Sequence, residues 1–270
     1  MTRNELPIYQ IDAFSSELFG GNPAAVCPLT EWLDDAMMQS IAAENNLAET
    51  AFFVAEGDGY RLRWFTPKVE VKLCGHATLA SAYVVLNILK PAQDRVVFHT
   101  LSGPLEVWRD TVPARLAMTL PAARSVACAA PAGLVEALGA QPAEFLSANF
   151  NGPYLMAVFD REDVVRRLTP DLVAVTKICD GLVVTAPANA RTDYDVISRF
   201  FAPAMGIPED PVTGSAHSQL IPYWAERLGR AEITAYQASE RGGWLYCTNA
   251  GGRVILRGDC ALYLQGAVFI

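Results

Sequence analysis

Long apolar runs, closely spaced cysteine pairs and blocks of like charge are all missing from this chain. Its most apolar stretch, Ala77 to Leu89, is interrupted by Ser81, Tyr83 and Asn87. A membrane span needs about 20 predominantly apolar residues, so this stretch reads as a buried core helix. The opening MTRNELPIYQIDAF holds no apolar core of a secretory signal, and the expectation is a cytoplasmic protein. Six cysteines (27, 74, 128, 179, 247, 260) form no CxxC pair, which suits reduced thiols rather than a disulfide framework. Among them and the three histidines, only Cys74 and His76 are close, so no metal is expected. Basic residues are in deficit, 21 Lys+Arg against 29 Asp+Glu, and the net charge of −8 argues against a nucleic-acid surface. There is no phosphate-cradling loop with Lys-Ser/Thr and no GxGxxG after a strand, so no nucleotide or other cofactor is expected.

What is present is 270 residues with 51% apolar positions, enough for one large core or two modest ones. Arg63-Trp-Phe65-Thr-Pro67 returns 136 residues later as Arg199-Phe-Phe201-Ala-Pro203. After each copy a glycine opens an apolar, helix-like stretch: Cys74-Gly75-His76-Ala77, and 139 positions on Thr213-Gly214-Ser215-Ala216. Two matched features at nearly one offset point to duplication. The expected halves are 1–122 and 123–270, joined through the Ala/Pro-rich stretch Pro121–Gly133, with the last strand free to return to the N-terminal lobe.

Local patterns alternate strands and helices. Tyr60–Trp64 alternates apolar and charged residues as a half-solvated strand does, and Tyr194–Phe200 is its rougher copy. Asp34 caps a helix to Asn46 carrying Met37, Met38, Ile41 and Ala42 on one face, and Glu49–Val54 follows as a strand. Helices begin after Gly75 and Gly214; the second contains Pro222, which should kink or shorten it. The tail reads as strands Arg253–Arg257 and Ala261–Ile270, with Arg257-Gly258-Asp259 as a hairpin turn rather than an adhesion motif.

A helix start offers unpaired N–H donors and about half a positive charge. Two such starts suit a carboxylate ligand without any lysine, although Gly75 and Gly214 read equally as ordinary tight turns. Among side chains, Glu49 lies between a helix end and the apolar Ala51-Phe52-Phe53; desolvation there would disfavour its charged form and suit proton shuttling. A solvated surface glutamate is the plainer alternative. His76 could polarise a substrate oxygen, and Asp210 could orient a substrate or cap the second turn. Cys74 could be a thiolate at a helix start, but the sequence identifies no base to assist it.

Gly21-Asn22-Pro23-Ala24-Ala25-Val26, Leu47-Ala-Glu49-Thr, Arg63-Trp-Phe-Thr-Pro67, Cys74-Gly-His76-Ala-Thr and Glu209-Asp210-Pro-Val-Thr-Gly-Ser215-Ala, taken in this order, resemble the phenazine-biosynthesis PhzF-like isomerase family. The resemblance covers nearly the whole chain. It implies a mixed α/β, diaminopimelate-epimerase-like fold: two similar lobes, each a curved sheet around a central helix, with the active site between them. It further implies cofactor-independent isomerisation by proton transfer and a homodimer. By position it assigns Glu49 as general acid/base, with His76 and Asp210 beside it. Asn22, Gly75, Gly214 and Ser215, again with His76, are assigned to the substrate. Related epimerases use two cysteines, one per half; here Cys74 is kept but Thr213 stands in the second place, and its hydroxyl is too weak an acid to match it. The expectation is therefore a single-glutamate isomerase of a small carboxylate, without nucleic-acid or membrane partners. An amino-acid epimerase or racemase, or a non-catalytic small-molecule-binding protein, is the alternative.

Overall fold

Two units divide the chain: Met1–Thr119 together with Arg257–Ile270, and Leu120–Leu256. The computed structural model describes residues 5–111, 115–149 and 153–270. In chain order the first unit holds β1 (Glu5–Ala13), β2 (Asn22–Leu29), α1 (Asp35–Asn45), β3 (Glu49–Glu56), β4 (Gly59–Phe65), β5 (Glu70–Val71), α2 (Gly75–Tyr83), β6 (Arg95–Thr100) and β7 (Gly103–Arg109). At the boundary comes β8 (Leu116–Pro121). The second unit continues with β9 (Val126–Cys128), α3 (Leu134–Leu138), β10 (Glu144–Asn149), β11 (Pro153–Val158), α4 (Glu162–Arg167) and α5 (Leu172–Thr176). It is completed by β12 (Gly181–Pro187), β13 (Val196–Ala202), β14 (Ile207–Asp210), α6 (Gly214–Leu228), β15 (Glu232–Gln237) and β16 (Gly243–Asn249), and β17 (Arg253–Gly258) crosses back over the boundary. The final strand, β18 (Cys260–Phe269), lies in the first unit and pairs antiparallel along β1 from Glu5↔Phe269 to Ala13↔Cys260.

The duplication read from sequence is a duplication of topology. In the first unit β1–β2 is antiparallel, β2–β3 parallel, β3–β4 antiparallel, β4–β6 parallel and β6–β7 antiparallel. In the second, β10–β11, β11–β12, β12–β13, β13–β15 and β15–β16 repeat that order of directions. A helix carries the chain across each parallel pair, as parallel connections require: α1 and then α2 in the first unit, α4–α5 and then α6 in the second.

The repeated Arg-x-Phe-x-Pro motif has a structural job. Arg63, on β4, makes a bidentate contact with Glu70 on β5, Nε to Oε1 and Nη2 to Oε2, both at 2.8 Å. Arg199, on β13, does the same to Glu209 on β14 at 2.7 and 2.8 Å. Each guanidinium also lies over the phenylalanine two residues on, 5.1 Å from Phe65 and 4.8 Å from Phe201. The clamp ties the short strand that leads into each glycine-opened helix. The acidic partners, themselves 139 residues apart, carry no sequence signal that singles them out.

Helix α2 is wrapped on all sides, with residues 76 to 82 buried. Small side chains let strands β1, β2 and β3 pack close to it. Its hydroxyls turn inward on the helix, Thr78 Oγ1 donating to Cys74 O at 2.5 Å and Ser81 Oγ to Ala77 O at 2.7 Å. A π-helical turn, Val84–Leu89, follows, held by Arg109 donating to Asn87 Oδ1 and Leu86 O.

Two local expectations are corrected. Pro222 does not shorten α6, because the helix is assigned without a break from Gly214 to Leu228. The carbonyl that a proline leaves without its helical donor, Ser218 O, accepts instead from Ala123 N at 2.9 Å. The strand expected from Tyr194 begins at Val196. Tyr194 turns aside, its ring stacked 5.3 Å from Tyr236 and its hydroxyl donated to buried Glu162. The Arg257-Gly258-Asp259 triplet is occupied internally: Arg257 donates to Asp110, and Asp259 accepts from Arg115. Among the described residues no helix is long and apolar enough to cross a membrane.

Candidate active site

In the first unit Glu49, Gly75 and His76 meet at the start of α2. Asn22, fully buried, opens β2 after Gly21, whose φ of +63° and contact with Ala13 O admit no side chain. β2 runs parallel to β3 with Ala24 opposite Glu49, which places the glutamate at the first position of β3. Glu49 is 8% exposed despite its charge. Its Oε2 lies 3.2 Å from His76 Nε2, the second residue of α2. The contact is close but skewed, and His76 Nε2 completes no aligned hydrogen bond among the described residues. His76 Nδ1 is 3.5 Å from Cys74 Sγ. Burial pushes the His76 pKa down to about 3, so the imidazole is neutral. Helix α2 starts with Cys74 as N-cap and no side chain capping it, which leaves its first N–H groups as donors.

Glu49, Cys74 and His76 offer donor atoms within 4.8 Å of one another, the separation a metal site needs. The sulfur lies 3.5 Å from Nδ1 of the ring and the carboxylate 3.2 Å from Nε2.

In the second unit the predicted residues surround the start of α6. Thr213 is the N-cap, and its hydroxyl donates to Asp210 Oδ2 at 2.5 Å. Gln237, buried on β15, accepts from Thr213 N at 2.8 Å and donates to Asp210 O at 2.8 Å. This glutamine fixes the turn that presents Asp210 and Gly214. Ser215 is half-buried and hydrogen-bonds to Tyr154, a buried phenol whose pKa is raised by burial and by the nearby charges of Asp210 and Asp180. Tyr154 therefore stays a donor. Neither Tyr154 nor Gln237 stands out in the sequence; both come from strands distant along the chain. His217 is neutral as well, its pKa lowered to about 4 by burial, with Nδ1 2.8 Å from Thr213 O.

A hollow of about 1080 Å³ also opens in the second unit, lined in part by Arg124, Tyr223, Arg227 and Arg230. None of the sequence-predicted site residues lines it. Tyr223 and Arg227 are both engaged with Glu144, and Arg230 with Asp195, so most of its cations are already neutralised.

Comparison with known proteins gives the family. Residues 11–266 match the family described as phenazine biosynthesis-like protein. An uncharacterized isomerase of Pseudomonas aeruginosa is 49% identical over 98% of this chain and 100% of its own length. The crystal structure of a PhzF-family protein from Enterococcus faecalis superimposes with a TM-score of 0.93 at 41% identity, covering 99% of this chain and all of that one. A hydroxyproline epimerase from Agrobacterium vitis shares the fold alone, with a TM-score of 0.63 at 12% identity, covering all of this chain and 92% of that one. The architecture is thus a mixed α/β fold shared with that epimerase, and the chain belongs to the phenazine biosynthesis-like PhzF family, whose relatives carry the name isomerase.

Proposed function

We propose that the protein is a cofactor-independent isomerase that moves a proton on a small carboxylate substrate, with Glu49 as the acid/base. The observation that carries this reading is the burial of Glu49 against a neutral His76 at 3.2 Å. A structural role would leave a glutamate at a strand start solvated, because burying its charge is costly without a strong cationic partner. His76, 3.2 Å from the carboxylate, carries no charge. Withholding water favours uptake of a proton, which a shuttle requires, and the neutral ring can pass or accept a hydrogen bond as the charge changes.

His76 orients the carboxylate and a substrate oxygen, and the uncapped N–H groups at Gly75 hold the substrate carboxylate, with Asn22 lining the same region. In the second unit, Asp210, Gly214 and Ser215 form an equivalent helix start, and we assign them to substrate binding. Thr213, committed to Asp210 and Gln237, is not a second base. A single carboxyl group taking and returning a proton on one face gives a tautomeric or allylic shift rather than inversion. The six free cysteines suit a reducing, cytoplasmic setting, and the exposed Phe19, Tyr263, Leu264 and Phe269 on and beside β18 support a homodimer.

The test is a screen of unsaturated and amino carboxylates for deuterium uptake in D₂O, followed by chirality analysis of any product. Glu49→Gln should slow exchange by about 10²-fold or more while the variant folds normally. Undiminished exchange in that variant would remove Glu49 from the chemistry, and an inverted centre would make the protein an epimerase.

A further inference from the structure

Glu49, Cys74 and His76 bring a carboxylate oxygen, a sulfur and an imidazole nitrogen within 4.8 Å of one another, and the three residues are 8%, 7% and 5% exposed. Among the described residues no other three histidine, cysteine or acidic side chains converge in this way. Glu49 joins the pair from β3, far along the chain, so sequence spacing does not show the trio. The proton-shift reading uses Glu49 and His76 and gives the sulfur no role.

Oxygen, nitrogen and sulfur are the donors that zinc takes, with bonds of about 2.0–2.2 Å to oxygen and nitrogen and about 2.3 Å to sulfur. Around a tetrahedral ion those bonds set the donors about 3.3–3.6 Å apart. Two separations are near that length already, 3.2 Å from Glu49 Oε2 to His76 Nε2 and 3.5 Å from Cys74 Sγ to His76 Nδ1. Whichever nitrogen serves, one edge of the tetrahedron is in place. The remaining edges have to close from at most 4.8 Å, a side-chain movement of about 1.5 Å or less.

Charge favours occupation as well. Metal ligands have to be deprotonated, and the imidazole already is, its pKa being held down to about 3 by burial. Carboxylate and thiolate together cancel a divalent charge, so the ion supplies the buried Glu49 with the cation that a neutral ring does not. The uncapped start of α2 eases loss of the thiol proton. Its dipole also opposes a cation, but at about half a charge it is outweighed by two full anionic ligands. Magnesium and calcium, which take oxygen ligands, do not suit this set.

We propose that Glu49, Cys74 and His76 form an inhibitory site for a zinc-like divalent ion, which blocks the proton shuttle by occupying its carboxylate. Binding balances: the thiol proton leaves to solvent, the three donors each bond to the ion, and nothing is oxidised or reduced. The ion takes the lone pair with which Glu49 would accept a proton, so ion and turnover exclude each other. The site stands on its donor geometry; its inhibitory effect rests on the proton-shift reading.

Native full-length protein, stripped with a chelator and kept reduced with a phosphine, should be titrated with Co²⁺. One ion per chain is expected, with a thiolate-to-cobalt charge-transfer band in the near ultraviolet and the intense visible bands of four-coordinate cobalt. Zn²⁺ should displace it and excess Mg²⁺ should not. Cys74→Ser should abolish the charge-transfer band and Glu49→Gln should weaken binding by about ten-fold or more, whereas Cys128→Ser should change neither. Should the Cys74 variant fail to fold, histidine ring NMR on the native protein decides: Zn²⁺ should shift the His76 signals and leave those of His99 and His217. A native protein without the band, a band that survives Cys74→Ser, or Zn²⁺ shifts at another histidine overturns the site. Inhibition is read by deuterium uptake into a carboxylate substrate, which should fall in proportion to Zn²⁺ occupancy. Uptake that persists at full occupancy overturns the inhibitory effect. Absence of any uptake without the ion counts against the proton-shift reading, and with it the inhibition, while the spectra still decide the site.

Discussion

Two neutral histidines sealed in the protein make its stability a function of mild acidity. His76 and His217 are held near pKa values of about 3 and about 4, whereas an unfolded histidine titrates near 6.5. Between those values the unfolded chain binds protons that the folded chain refuses, so stability falls as pH drops through 6.5 and continues to fall toward the folded values. At pH 5 each ring has lost about 1.5 pK units of advantage, which is about 2 kcal/mol per histidine. The residues sit in different units, His76 in the first and His217 in the second, so each unit bears its own share. With a urea slope of about 2 kcal/mol/M, the expected shift is about 1 M in each unfolding midpoint between pH 7 and pH 5. Urea titrations at a series of pH values, with histidine ring NMR on the folded protein, make the measurement. His217→Gln should flatten the dependence in the second unit and leave the first unchanged. Midpoints that stay constant to pH 5 would refute the reasoning, as would ring signals titrating near 6.5 in the folded protein.

Further perturbations follow from the packing. Glu209→Gln breaks a bidentate contact whose side chains are only 12% and 24% exposed, and should cost about 1–3 kcal/mol by thermal or urea unfolding. The same change at Glu106, whose pair with Arg95 is 45% and 73% exposed, should cost under about 1 kcal/mol; equal costs would deny the clamp its role. Gly258→Ala would put a Cβ 2.4 Å from Phe14 Cδ1, a fully buried ring, and should cost about 1–3 kcal/mol. A neutral result there would mean that Phe14 has room to move.

The sequence exposes what is periodic or repeated. Strand β4, helix α1 with its Asp34 cap accepting from Met37 N, and both glycine-opened helices are legible from spacing alone. The internal repeat is legible because its arginine and aromatics recur, although the acidic partners in the clamp lie in two short strands with no pattern of their own. Gln237 and Tyr154 are hidden for a different reason. Parallel pairing of β13 with β15 buries Gln237 opposite Ser198, 39 positions earlier, and only that pairing turns an unremarkable glutamine into the bracket of a helix start. His76 as partner to Cys74 is concealed by geometry, since the extended N-cap brings together residues that helical spacing would keep apart. Pro222 misleads because the donor that answers its freed carbonyl comes from a distant part of the chain.

The twin Arg–Glu brackets sit on strands and not on the glycine-opened turns themselves. Scaffolding and reactivity are thereby assigned to separate residues in each copy. Once the gene had doubled, one turn could keep Cys-Gly-His and the other drift to Thr-Gly-Ser without loosening either framework. Such a division of labour leaves descendants of this architecture free to exchange one reaction for another at the cost of a few side chains.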